Sequence, residues 1–244
     1  MRFRKLDIRR ILIYSAILSL LIYFILAWAE MIADHYQRTG SDFMGFYSFG
    51  WIAKHKGISY LYDLKVQQDL QEQIVGHPVT PIFSTHLPLT ALLSMAVGDD
   101  DYVASFKRWA IVLLLLNVMN IFLLTKLLDL QKFTKENLII LALGAYLFDP
   151  SFSVLMNAQD TAIVLLGAIL WAFGFFSKRY FLAGIGLSLT VFRPQIALFL
   201  AVPFFFHHRK VFWGFVLGSS VLAAISMGLL GYEGTLSFIK AIRY

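Results

Sequence analysis

Three long apolar runs, at residues 11–29, 109–128 and 212–230, constrain the fold of this chain more than any other feature. Each run is close to the ~20 residues that an apolar helix needs to cross the hydrocarbon core of a bilayer. The composition agrees, since 59% of the 244 residues are hydrophobic and 15% are charged, against roughly 25% charged residues in a soluble domain. We therefore predict an all-α, polytopic transmembrane protein that forms a single domain over residues 1–244. A soluble globular domain is excluded.

The positive charge is gathered in short clusters beside the apolar runs. The formal net charge is +6, and basic residues lie at 2–10, at Lys178-Arg179 and at 207–210. Such clusters mark cytoplasmic loops under the positive-inside rule, so nucleic acid is not an expected partner. The sequence has no cysteine, which excludes disulfides and thiolate metal ligands.

An ordered outer loop, at about residues 30–82, is predicted to follow the first span. Within it, residues 43–53 mix aromatic and charged side chains, a pattern that suits an amphipathic helix lying at the membrane interface. Residues 64–75 predict a second, polar helix. With the amino terminus inside, this loop lies on the extracytoplasmic side.

Shorter apolar segments leave the number of crossings open. Residues 83–98 contain Pro88, and we interpret them as a short span or, in better agreement with the positive-inside rule, as a re-entrant segment. A segment at 138–148 ends at Asp149-Pro150, where the proline disfavours a helical aspartate. A helix over residues 161–176 is expected to end at Lys178-Arg179.

The stretch 180–206 is predicted to break in its middle. One straight helix would leave Arg193 in lipid, which costs at least ~2.5–3.5 kcal/mol. Two half-length helices, broken at Phe192-Arg193-Pro194, bring both flanking basic clusters to one side and leave the broken backbone in a protein-lined cavity.

Three positions could carry chemistry. Asp42, at a helix start, is a candidate general base for a hydroxyl, although spacing alone favours a capping role. Arg193 would suit a phosphate-bearing ligand, or an internal ion pair with Asp160 or Asp149. Gln159 and Asp160 could hydrogen-bond a sugar hydroxyl, but such residues more often hold helices together. No histidine has metal-ligand spacing and no nucleotide-binding motif is present, so no metal ligand is assigned and no cofactor is expected. Metal dependence stays open, because Asp42 and Asp63 could share a divalent cation.

Short motifs along the chain resemble a known family of membrane enzymes. They are Asp42-Phe43 with Tyr47, Gly57, Tyr60-Leu61-Tyr62-Asp63, Thr85-His86-Leu87-Pro88-Leu89, Asn157-Ala158-Gln159-Asp160, Arg179-Tyr180 with Ala183-Gly184, and Phe192-Arg193-Pro194-Gln195. Their order and spacing are similar to those of polyprenol-phosphate-dependent GT-C glycosyltransferases, most closely the GT87-like family, also called DUF2029, which includes bacterial α-mannosyltransferases.

The resemblance implies a GT-C-type domain in the cell membrane with an ordered first outer loop. It implies inverting transfer of a hexose, with mannose expected, from a polyprenyl-phosphate carrier to an envelope glycan or glycolipid on the outer face. Asp42 would be the catalytic base. The residues expected to bind the donor and its carrier are Arg193, Gln195, Gln159, Asp160, Tyr62 and Asp63.

Two residues depart from the family pattern, since Ala158 stands where glycine is usual and Arg193 where lysine is usual. Family members also continue through further spans, so we expect a fragment or a shortened relative. The alternative is a non-enzymatic membrane transporter or assembly subunit that retains a GT-C scaffold.

Overall fold

The computed structural model describes residues 8–33, 42–84, 86–127, 154 and 157–242. This part of the chain is all-helical and contains no strand. Two 3₁₀ turns, Ile58–Tyr60 and Leu189–Phe192, interrupt the α-helices. The predicted segment 138–148, the break at Asp149-Pro150 and Thr85 lie outside the described residues. The α-helices of the described part are α1 (Ile8–Ala33), α2 (Phe43–His55), α3 (Leu64–Val75), α4 (Pro88–Val97), α5 (Tyr102–Leu127), α6 (Thr161–Phe176), α7 (Tyr180–Ser188), α8 (Pro194–His207) and α9 (Arg209–Ala241).

Three of these helices, α1, α5 and α9, are long and apolar enough to cross a membrane, which confirms the three predicted runs. At 1.5 Å per residue, twenty residues reach about 30 Å, the thickness of the hydrocarbon core. Large apolar side chains on them face outwards, including Leu12 at 64% exposed and Trp213 at 58% exposed. Hydrocarbon accommodates such surfaces, and the three helices therefore indicate a membrane protein.

The polar helix of the loop, α3, covers the predicted residues. Asp63 precedes its first residue, and the Asp63 carboxylate accepts hydrogen bonds from the backbone N–H of Lys65 (3.0 Å) and of Val66 (3.2 Å). Gly76 ends the helix in the left-handed region with φ 83°, which glycine adopts without steric cost. Both ends of α3 are thus set by local sequence.

The aromatic helix α2 forms where predicted, and it is more deeply buried than an amphipathic pattern indicates. Side chains on all of its sides are buried, among them Phe43, Phe46 and Phe49. A Cβ atom on Gly50 would lie 2.8 Å from the backbone carbon of Ser94, so α2 and α4 touch through their backbones. The place of α2 at the membrane interface stays a prediction.

The length of helix α4 bears on the alternatives for residues 83–98, between which the number of crossings stays open. The helix has ten residues, about 15 Å at 1.5 Å per residue, so it cannot cross the hydrocarbon core by itself. This length fits the re-entrant interpretation of residues 83–98.

The predicted break in the stretch 180–206 is confirmed. Helix α7 tightens into the turn Leu189–Phe192, and α8 begins at Pro194. Arg193 lies between them with non-helical φ −126° and ψ 84°, because a residue before proline is disfavoured in the helical region. Pro194 therefore fixes the backbone conformation from which the Arg193 side chain extends.

Glycines bring α7 and α9 into backbone contact. A Cβ atom on Gly184 would lie 2.0 Å from the carbonyl oxygen of Val211, and one on Gly214 would lie 2.1 Å from that of Phe181. Small residues at crossings of this kind let apolar helices pack closely in membranes. This crossing fixes α7, and through it the break at Arg193.

We expect Gly184→Ala to lower the free energy of unfolding by about 3 kcal/mol, because the added methyl group forces α7 and α9 apart. Gly228→Ala, on the same helix α9, is the matched control, since no atom lies within 4 Å of its Cβ position. The control should be unchanged or slightly more stable, as alanine has the higher helix propensity. Thermal unfolding in detergent micelles measures both, and equal stability of the two variants would contradict the packing argument.

Candidate functional site

The Asp42 carboxylate does not cap the helix that it precedes. No backbone N–H of α2 donates to it. Instead Oδ2 accepts a hydrogen bond from Nε2 of Gln159, which is 117 positions away in the sequence. The capping interpretation of this side chain is therefore wrong. The tertiary fold leaves the carboxylate exposed and oriented by an amide.

Asp160 and Arg193 form the ion pair that the sequence offered as one alternative. Nη2 of Arg193 donates to Oδ1 of Asp160 over 2.9 Å. The Asp160 side chain is fully buried, whereas that of Arg193 is 28% exposed. Within the described residues only Nη2 of the guanidinium is engaged, so Nη1 and Nε keep donors for a ligand. The pair anchors Arg193 without using up its hydrogen-bonding capacity.

His86 completes this group, and the sequence reasoning missed it. Its Nδ1 lies 3.5 Å from Oδ2 of Asp160, and this buried oxygen has no hydrogen-bond partner in the described part of the chain. The ring stacks on Phe46, with 4.7 Å between ring centroids. The backbone carbonyl of His86 accepts from the Tyr62 hydroxyl. The available signal was an ionisable residue inside the apolar run 83–98.

Burial and the three charged side chains of the site all shift the pKa of the His86 ring. Burial lowers this pKa most, the charge of Asp160 raises it, that of Arg193 lowers it and that of Asp42 raises it. The net direction is downwards, so the ring is neutral at neutral pH. We call Asp42, His86, Gln159, Asp160 and Arg193 the polar cluster.

A tight turn before α6 presents two members of the polar cluster. Ala158 has φ 54° and is buried, a conformation that glycine adopts more readily. Helix α5 holds the turn, because Trp109 Nε1 donates to the Ala158 carbonyl and Asn120 Nδ2 to that of Ala162, each over 2.8 Å.

The other three residues predicted to bind the donor and its carrier lie outside the polar cluster. Gln195 is exposed in the first turn of α8. Tyr62 is buried and contacts the site through the carbonyl of His86. The Asp63 carboxylate caps α3. Roles for these three residues in carrier binding stay predictions.

Comparison with known proteins gives no assignment. No family model matches the chain, and no curated protein and no solved structure matches it. Among the described residues, no group of three or more metal-binding side chains could hold a metal ion. The proposals below rest on the polar cluster and on the resemblance of the motifs.

We expect Asp160→Asn to lower the free energy of unfolding by about 2 kcal/mol. The change leaves the Arg193 charge without its buried partner, and the partial exposure of the guanidinium reduces the cost below that of a fully buried pair. Asp99→Asn is the matched control, because Asp99 pairs with Arg108 over 3.0 Å at the surface, where ion pairs contribute little. Thermal unfolding of both variants should therefore differ, and an equal effect would contradict the anchoring role of Asp160.

His86 predicts a loss of stability in acid. In the folded protein the pKa of the His86 ring lies below the value of about 6.5 that the ring has in the unfolded chain. The unfolded state therefore binds more protons as the pH falls, which favours unfolding. The contribution of His86 to the free energy of unfolding is thus complete above about pH 6.5 and declines below it. In unfolding measurements from pH 8 to pH 5, His86→Gln should lose less stability than the unsubstituted protein. The difference at pH 8 controls for altered packing, and parallel pH profiles would contradict the prediction.

Proposed function

We propose that this chain is an integral membrane glycosyltransferase of the GT-C type. It transfers a hexose from a polyprenyl-phosphate carrier to an acceptor hydroxyl on the outer face of the cell membrane, crossing that membrane several times. One observation carries the proposal: two consecutive residues hold its two charged groups, since Gln159 binds the exposed Asp42 carboxylate and Asp160 binds the partly exposed Arg193 guanidinium. A base and a phosphate-binding cation are what such a transfer needs.

Asp42 is suited to remove the acceptor proton. Its Oδ2 is held by Gln159, and within the described residues Oδ1 accepts no hydrogen bond from its own helix. An acceptor O–H can therefore donate to Oδ1 and transfer its proton as the new bond forms. The Gln159 amide positions the carboxylate for this step.

Arg193 is suited to stabilise the departing phosphate. The acceptor oxygen attacks the anomeric carbon from the face opposite the carrier, which inverts the configuration. The bond between that carbon and the phosphate oxygen breaks, and its electron pair leaves with the polyprenyl phosphate. The guanidinium neutralises the developing charge through donors that Asp160 leaves available. No atom changes its oxidation state in this step.

The resemblance of the motifs supports the substrate class. It favours mannose as the sugar and an envelope glycan or glycolipid as the acceptor. The same resemblance supports Gln195, Tyr62 and Asp63 as further carrier-binding residues. The polar cluster itself constrains only the acid–base and phosphate chemistry.

A non-enzymatic transporter or assembly subunit is the second candidate. The observation that favours it is the ion pair of Asp160 with Arg193, which would hold the broken helix equally well in a scaffold without turnover.

Asp42→Asn separates the two functions. Transfer of radiolabelled mannose from polyprenyl-phosphate-mannose to membrane acceptors is measured in proteoliposomes. We expect kcat to fall by about 10²- to 10⁴-fold, the range for loss of a general base, while carrier binding changes less than twofold. Asp69→Asn, at an exposed position of α3, is the matched control and should retain full activity.

A non-enzymatic transporter or assembly subunit gives a different result in the same assay. Neither the unsubstituted protein nor Asp42→Asn would transfer mannose, although both are folded and bind the carrier. Full activity of Asp42→Asn would instead remove Asp42 from the mechanism.

A further inference from the structure

The end of α6 that lies opposite the polar cluster carries uncompensated positive charge. Lys178 and Arg179 follow α6, and Arg209 and Lys210 begin α9. Residues 161–232 contain no aspartate or glutamate. None of the four cations forms an ion pair within the described residues. Since α6 has sixteen residues, about 24 Å of helix separates this basic end from Asp160.

An apolar crevice opens beside the basic end. It has a volume of about 710 Å³ and lies between α6, α7 and α9. Leu182, Leu217 and Val221 line it and are each about half exposed. Arg179 is the charged residue in its lining. An apolar crevice with one arginine in its lining matches a ligand that has both an acyl chain and an anionic group.

A second cavity, of about 300 Å³, lies next to the first along the chain. Tyr180, His207, His208, Arg209 and Lys210 line it. Arg179 lines the crevice and Tyr180 lines this cavity, and consecutive Cα atoms are only about 3.8 Å apart. The linings of the two cavities therefore meet along the chain at the junction of Arg179 and Tyr180.

A tight turn places Arg179 at this junction. Lys178 has φ 57° in the left-handed region, and the backbone N–H of Arg179 donates to the carbonyl of Gly174 over 2.8 Å. A Cβ atom on Gly174 would lie 2.7 Å from the Cα of Ala183, so α6 and α7 touch directly after the turn. The position of Arg179 is thus built into the fold.

We propose that the basic end binds an anionic phospholipid, with an acyl chain in the 710 Å³ crevice and the phosphate at Arg179. The planar fork of arginine suits phosphate oxygens, and basic pockets between membrane helices accept anionic lipid headgroups. A zwitterionic lipid brings its own cation, which four uncompensated positive charges repel. The proposal does not depend on glycosyl transfer.

Charge is tested first, with the full chain in neutral detergent micelles. Dioleoyl phosphatidylglycerol is titrated and bound lipid is counted by native mass spectrometry, with dioleoyl phosphatidylcholine in parallel. Arg179→Gln should weaken phosphatidylglycerol binding about fivefold, the factor for about 1 kcal/mol per surface cation. Lys107→Gln, at an exposed position of α5, removes the same charge elsewhere and should change binding less than twofold. Equal binding of both lipids, or equal effects of both variants, would overturn the proposal.

The crevice is tested without a change of charge. Val221→Trp fills it from a half-exposed position and should weaken phosphatidylglycerol binding at least fivefold. Val118→Trp, at a similarly exposed position of α5 outside the crevice, should leave binding unchanged. Glycerol phosphate at millimolar concentration should not displace the lipid. Complete displacement by it, or unaltered binding to Val221→Trp, would show that the site does not hold an acyl chain and would refute the proposal.

Discussion

The ion pair between Asp160 and Arg193 is the interaction on which the site depends. It connects the start of α6 to the break between α7 and α8, two points that the sequence separates by 33 positions. A fully buried carboxylate is costly unless a cation compensates it, and the Arg193 guanidinium is within 2.9 Å. Because Pro194 prevents α7 and α8 from forming one straight helix, the guanidinium can reach this carboxylate. The break therefore brings Arg193 into the polar cluster.

Packing around the ion pair brings helix α2 against α5 and against the turn before α6. Phe46 of the buried helix α2 stacks on the His86 ring and on Trp109 of α5. Trp109 in turn holds the turn at Ala158, next to Gln159 and Asp160. Aromatic stacking thus positions the His86 ring, and the Trp109 hydrogen bond positions the turn that carries Gln159 and Asp160. Asp42, at the first residue before α2, reaches Gln159 as a consequence.

The two proposals assign different chemistry to the two ends of α6. The proposed glycosyl transfer would use the Asp42 carboxylate and the Arg193 guanidinium of the polar cluster. The proposed lipid site would use the cations of the basic end and the apolar crevice beside them. Helix α6 separates them by about 24 Å, so one site can be altered while the other is left intact.

The sequence by itself determined the helices, because hydrophobic run length, the Asp63 cap and the proline at 194 act through local chemistry. Residues 64–75, 161–176 and the break at Arg193 were predictable for this reason. Only the tertiary structure decided the burial of α2, the pairing of Asp42 with Gln159, and the place of His86. Composition and periodicity carry no information on which surfaces meet. A carboxylate that starts a helix predicts a cap, until a side chain 117 positions away supplies a different hydrogen-bond donor.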